Sequence, residues 1–182
     1  MKYLGAASAM IFALVFCACT ATRSTTGGYL PNSEPVPAGS KVLIMPVPDG
    51  VEAQDGPAQG SGRSMTNGLK DALVAHGFPP YVSETTNLPS ALEEAAKMEY
   101  PYVLRGSLTK WEDNATEWSG RPDLAELSVE LYATDTQTMV ASVTHSIEGG
   151  DSGKQPHRFV PELADQTLAK IFGWVPRVTS KY

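Results

Sequence analysis

The side chains able to do chemistry are few and mostly scattered. Three histidines, His76, His145 and His157, stand far apart, and none falls in an HExxH or comparable ligand spacing. No GxSxG elbow occurs. These spacings point to no catalytic residue, no metal site and no cofactor. Two segments carry more. Gly56-Pro57-Ala58-Gln59-Gly60-Ser61-Gly62-Arg63-Ser64 lies between a strand-like and a helix-like run, where a phosphate loop would sit. It departs from that pattern: Arg63 replaces the P-loop Lys, Pro57 stands where the first Gly belongs, and Met65 blocks a GxGxxG reading. A flexible loop leading into a helix is the expectation. The second segment is Trp111 to Asp123. Glu112, Asp113, Glu117 and Asp123 crowd one hairpin. Two such carboxyls can work as acid and base on a glycosidic bond, although clustered loop charges are usually a solvated face. Trp111 and Trp118 flank the polar stretch and Arg121 follows. Trp and Arg are enriched at interface hot spots, and sugar rings stack on Trp. Trp118, Arg121 and Glu117, with Trp111 supporting the hairpin from below, are therefore candidate partner-binding residues. Ser119-Gly120-Arg121-Pro122 has turn chemistry that presents them outward. The competing arrangement has the tryptophans covering the open end of a sheet and Arg121 pairing with Glu117 or Asp123.

What precedes the folded part decides where such chemistry would operate. The chain has 182 residues and a formal net charge of −6. So acidic a chain is poorly suited to nucleic acid, whose phosphates call for Lys and Arg. Lys2 opens an apolar run, Tyr3 to Cys17, too short for a spanning helix but suited to a secretory h-region. Leu14-Val15-Phe16-Cys17-Ala18-Cys19-Thr20 resembles a bacterial lipobox, in which a small residue precedes the cysteine that is lipidated. Ala18 before Cys19 fits; Phe16 before Cys17 is too bulky. The resemblance implies a signal peptide over 1–18, lipidation with palmitate at Cys19, and the lipid bilayer as a partner. Thr20 is not the Asp that retains many lipoproteins at the inner membrane, so the outer membrane, facing the periplasm, is favoured. An ordinary signal peptide or a short anchor remains open. Cys17 leaves with the signal, so no thiol is left for catalysis.

Residues 19–40 read as a lipidated tether. They are small, polar and rich in Gly and Pro, unable to bury enough to offset their ordering entropy. About 20 flexible residues would span roughly 25 Å. A single globular domain follows over 41–175, with a short tail at 176–182. Val42 to Val47 suits a strand buried on both faces. Met65, Leu69, Ala72, Leu73 and His76 share one helix face, with Gly77 as the stop. Tyr81–Ser83 reads as a short strand, and Ser90-Ala91-Leu92-Glu93 as a capping box opening a second helix. Three strands follow. In the middle one, Ala125, Leu127, Val129, Leu131 and Ala133 alternate against Glu126, Ser128, Glu130 and Tyr132. A last helix begins near Pro161 and ends at Gly173. The order β-α-β-α-β-β-β-α predicts an α/β fold with a mixed sheet of about five strands.

That order of elements resembles the amino-terminal domain of TolB and small envelope lipoproteins of the CsgG, PelC and LpoB type. The segment Trp111-Glu112-Asp113-Asn114-Ala115-Thr116-Glu117-Trp118-Ser119-Gly120, with Gly60-Ser61-Gly62, Leu131-Tyr132 and Asp135-Thr136, is similar to an uncharacterised group of proteobacterial lipoproteins. That group has no agreed activity to carry over, and the absence of a nucleophile, metal or cofactor motif favours a non-catalytic interaction or accessory module in envelope assembly, transport or export, with an unknown envelope protein as partner and a homo-oligomer as one possible state. A glycan hydrolase or glycan-binding protein built on the Trp/carboxylate hairpin is the alternative.

Overall fold

The computed structural model describes residues 21–52, 56–114, 121–149 and 156–177. Cys19, Glu117 and Trp118 lie outside them. The elements are β1 (Thr22–Tyr29), β2 (Val42–Ile44), β3 (Val51–Glu52), β4 (Gly56–Pro57), α1 (Ser61–Ala75), β5 (Pro80–Val82), α2 (Leu88–Lys97), β6 (Tyr102–Glu112), β7 (Leu124–Ala133), β8 (Thr138–Glu148), a 3-10 turn (Pro156–Phe159) and α3 (Val160–Phe172). One mixed sheet runs in the order β1-β8-β7-β6-β2-β5, and β3 and β4 form a separate small hairpin. β2 is parallel to both β5 and β6, because each connection returns through a helix. β6, β7, β8 and β1 pair antiparallel.

The alternation in β7 sets the layers. Ala125, Leu127, Val129 and Leu131 are fully buried, as are Ala141, Val143 and Ile147 beside them on β8. Met65, Leu69 and Leu73 of α1 and Leu163, Leu168 and Ile171 of α3 close over them. Gly106 of β6 lets α1 come near, since a Cβ there would lie 2.9 Å from Val47 Cγ2 and 3.3 Å from Leu69 Cδ1. α2 packs on the opposite face, where Ala91, Leu92 and Ala95 meet Leu43, Met45 and Val103. β2 is thus covered on both sides, as its unbroken apolar run requires. Beyond α2 that second face is open and carries Ser, Thr, Glu and Arg side chains, among them Ser128 with Thr144 at 3.2 Å and Arg105 with Glu130 at 3.5 Å.

Three details differ from the sequence reading. The sheet has six strands rather than five, because residues 22–29, placed within the tether, form β1. Thr22 to Gly28 has no apolar alternation to announce a strand. The pairing comes from the backbone ladder along β8, from Thr22 opposite Glu148 to Tyr29 opposite Ala141. Side chains then pin it to α3: Arg23 pairs with Glu162, and the Tyr29 hydroxyl donates to the Ile171 carbonyl while accepting the Val36 N–H at 2.8 Å. Secondly, Ser90 does not cap α2. The cap is Asn87, whose side-chain oxygen accepts the Ser90 N–H at 3.2 Å, which places Leu88 and Pro89 in the first turn. Thirdly, β3 and β4 interrupt the loop before α1. The last helix matches its expected limits, with Pro161 in the first turn and Gly173 at φ 75° as its C-terminal cap.

The register makes a direct prediction. Val129→Asp puts a carboxylate into the fully buried layer and costs several kcal/mol, enough to unfold a domain of ordinary stability. Glu130→Lys on the open face loses only the Arg105 and Tyr132 contacts, about 1 kcal/mol or less. Thermal melts that rank the two in the opposite order would contradict the assigned faces.

Candidate functional site

The β6–β7 hairpin carries the candidate residues, and its neck is built before its tip. The β6–β7 register shifts between Leu108 and Lys110. The extra residue changes the phase of the strand, so Trp111 turns inward. Its ring is 1% exposed, meets the His157 ring edge-on at 5.0 Å and abuts Gly50, where a Cβ would fall 2.7 Å from Trp111 Cβ. Trp111 is therefore a core residue and offers no face to a partner, which corrects its place among the binding candidates. Arg121 is exposed on the far side of the loop. Between them the chain is cross-tied. The Asn114 N–H donates to Asp123 Oδ1 at 2.8 Å, and Asn114 Nδ2 donates to the Pro122 carbonyl at 2.9 Å. The Gly149 N–H donates to the Asp123 carbonyl at 2.8 Å. Asp123 is 3% exposed. Burial pushes its carboxyl above the ordinary carboxylate range, opposed by the Asn114 N–H and reinforced by Asp113. Asn114 carries the neck, a role the sequence reading missed; an Asn whose side chain bonds nearby backbone was the available signal.

The glycine loop is occupied by its own chain. Asp49 Oδ1 accepts the Gly62 N–H at 2.8 Å and Oδ2 accepts the Gly60 N–H at 3.2 Å, while the Gly50 N–H donates to Ser61 Oγ at 2.9 Å. A carboxylate thus already sits on the donors a phosphate would need, and complements the positive end of α1. Gly62 serves packing, since a Cβ there would lie 2.2 Å from the Val47 carbonyl oxygen.

Two polar clusters tie down the segments near the two ends of the described residues. Asp165 of α3 gathers the first. His76 Nε2 lies 3.0 Å from its Oδ1, the Trp174 indole N–H donates to the same oxygen at 3.2 Å, and the Arg177 N–H donates to Oδ2 at 2.5 Å. The His76 and Trp174 rings stack at 4.1 Å, tilted by 4°. His76 is the helix-end residue the sequence suggested, and Asp165 is the partner it did not reveal. The second cluster lies between β1, β8 and α3. Gln166 Nε2 donates at 2.9 Å to the Glu162 carboxylate that pairs with Arg23. Thr25 Oγ1 lies 2.5 Å from His145 Nδ1. His145 is 1% exposed, and its Nε2 has no hydrogen-bond partner among the described residues. Burial pushes its pKa down; Glu162 opposes this and Arg23 adds to it. No group of three or more His, Cys, Asp or Glu among the described residues is placed to hold a metal ion.

His145 supplies the pH dependence. The folded state disfavours protonation of the ring, whereas the unfolded chain protonates it near the ordinary histidine value of about 6.5. The unfolded state then binds more protons, so stability is full above that value and falls as pH drops below it. His145→Phe keeps an aromatic side chain, though a larger one, and removes the titration, so the pH slope and not the absolute melting temperature is the readout. Melting temperatures measured between neutral and mildly acidic pH are expected to fall in the wild type and to flatten in His145→Phe; parallel curves would assign the loss to other groups.

No family model matches the chain, and no curated protein matches it by sequence. Solved structures do match by fold. The PelC dodecamer from Paraburkholderia phytofirmans superposes with a TM-score of 0.62 at 17% identity, covering 84% of this chain and 97% of that one. A leucine-to-methionine variant of the same dodecamer, in another crystal form, gives 0.61 at 18% identity, covering 82% and 98%. Lipoprotein GNA1162 from Neisseria meningitidis gives 0.52 at 12% identity, covering 74% and 99%. At these identities the likeness is one of fold, and the fold is one that a protein described as a lipoprotein and a dodecameric protein both use.

Proposed function

We propose that this chain is a bacterial envelope lipoprotein, anchored in the outer membrane through acylated Cys19 with its domain facing the periplasm. In this reading it works without catalysis, as an accessory module in envelope assembly, transport or export, and it associates with further copies of itself. The observation that carries the reading is the fold. It is shared over 74% of this chain with a structure described as a lipoprotein and over 84% with one described as a dodecamer, and it follows a lipobox-like Ala18-Cys19. The partner surface is the β6–β7 loop, where Arg121 is joined by Glu117 and Trp118 in sequence. The neck made by Asn114 and Asp123 fixes both ends of that loop, which lowers the entropy lost on binding.

A glycan hydrolase draws on Asp123, whose raised pKa is of the kind a general acid needs. Its enclosure and its bond to the Asn114 N–H count against that use. Of the other hairpin carboxylates, Glu117 is the one to test first.

Palmitate labelling checks the anchor: label is expected in the wild type and in Cys17→Ser and absent from Cys19→Ser, and the reverse pattern would move the lipid to Cys17. Affinity purification of the lipidated protein checks the surface. Trp118→Ala or Arg121→Ala is expected to weaken capture of the envelope partner about thirtyfold, roughly 2 kcal/mol, with the melting temperature unchanged within a few degrees. Turnover of peptidoglycan or another envelope glycan that disappears in Glu117→Gln would replace this reading with the enzymatic one.

A further inference from the structure

The start of β1 lies very close in sequence to the cysteine proposed as the lipid anchor. Thr22 is already paired with Glu148, and the Arg23 guanidinium, held by Glu162, donates from Nη1 to the Ala21 carbonyl at 3.0 Å. The backbone is therefore fixed from Ala21 onward. Two residue steps back to Cys19 can span at most about 7 Å, far less than the roughly 25 Å of a 20-residue tether.

The register says what lies at that end. Thr22, Glu148, Leu124 and Glu112 form one row across four strands. The neck of the β6–β7 hairpin, at Asn114 and Asp123, follows that row directly. The β3–β4 hairpin belongs to the same end, since Gly50 abuts Trp111 and Val51 next to it is 67% exposed. The β7–β8 turn around Thr136 closes the opposite end, about 30 Å away at the usual rise of a ten-residue strand.

We infer that the sheet end formed by Thr22, Glu148 and Leu124 rests on the bilayer, with the strands rising from it and the β7–β8 turn pointing away. This rests on the proposed lipidation of Cys19. The occupant of that end is the lipid surface itself, and the argument is chain length: a lipid held in the membrane and a backbone fixed two residues later leave no slack. The row at that end includes Glu148 and Glu112, so the short link to the anchor, and not charge attraction to the headgroups, is what brings this end to the bilayer. The candidate partner loop consequently sits at membrane level, and its partner must be reachable there.

The test uses the full lipidated protein in phosphatidylethanolamine–phosphatidylglycerol vesicles carrying a headgroup nitroxide quencher. Single cysteines are introduced at the exposed positions Glu148→Cys and Thr136→Cys and labelled with a fluorophore; the thioether at Cys19 leaves its own sulfur unreactive. Emission at position 148 is expected to be largely quenched and emission at 136 unaffected. A Gly/Ser spacer inserted between Thr20 and Ala21 is expected to relieve the quenching at 148. Quenching at both positions means that the domain lies flat, quenching at neither means that it stands off, and quenching that survives the spacer means that something other than tether length holds it; each overturns the inference. Intact mass separates the two levels of the argument. A protein without acyl mass removes the anchor, and this inference with it, whereas acylated protein with the wrong quenching pattern leaves the anchor standing and removes only the orientation.

Discussion

The apolar layer between the β6–β7–β8 meander and helices α1 and α3 is what the rest of the molecule depends on. Burying apolar surface is the dominant favourable term in folding, and here it also fixes register. Leu127, Val129 and Leu131 on one strand, and Ala141, Val143 and Ile147 on the next, are all fully buried. A slip by one residue would expose the whole set. Once the register is fixed, so are the strand ends, and with them the places where the chain leaves the sheet. The β6–β7 loop, the β3–β4 hairpin and the beginning of β1 share one end for that reason.

His145 is the polar interruption of the layer. It occupies an inward position on β8 between Val143 and Ile147 and is almost completely buried. One ring nitrogen is satisfied by Thr25 of β1, so the strand whose own side chains contribute least to the core is attached to one of the few polar groups within it. Arg23 and Glu162 beside it do the same at the start of the strand. A polar edge strand lacks apolar burial, and its position is specified by matched charges and hydrogen bonds together with the ladder.

This division explains what the sequence revealed. The α/β order, the parallel and antiparallel segments and the faces of β7 were legible because burial imposes period-two alternation. β1 was not: Thr22-Arg23-Ser24-Thr25-Thr26-Gly27-Gly28 has the composition of a linker, and its partners at 145 and 162 are more than a hundred residues away. Trp111 was misplaced among the binding candidates for a related reason. Counting by twos from Leu104 and Leu108 sends position 111 outward, and the register shift near Lys110 reverses that; bulges of this kind leave little trace in composition. Arg121 is exposed, as its charged side chain beside Pro122 suggests.

The two sheet edges are managed differently, and the difference bears on how the protein meets its surroundings. β5 is three residues long and begins at Pro80, which lacks an N–H to offer a neighbouring strand. β1 is an eight-residue edge and needs another restraint. Gly27 supplies a distortion. It sits at φ 92°, and a Cβ there would fall 2.1 Å from the Ser142 carbonyl oxygen, so only glycine is tolerated at that point, while the pairing with β8 continues to Tyr29. Just beyond Gly28 the Tyr29 hydroxyl reaches across to the last turn of α3. The far end of β1 is thus held to α3 by Tyr29 and its near end by the Arg23–Glu162 pair, so this edge is restrained by side-chain ties at both ends, where the short β5 edge relies on its length and on Pro80.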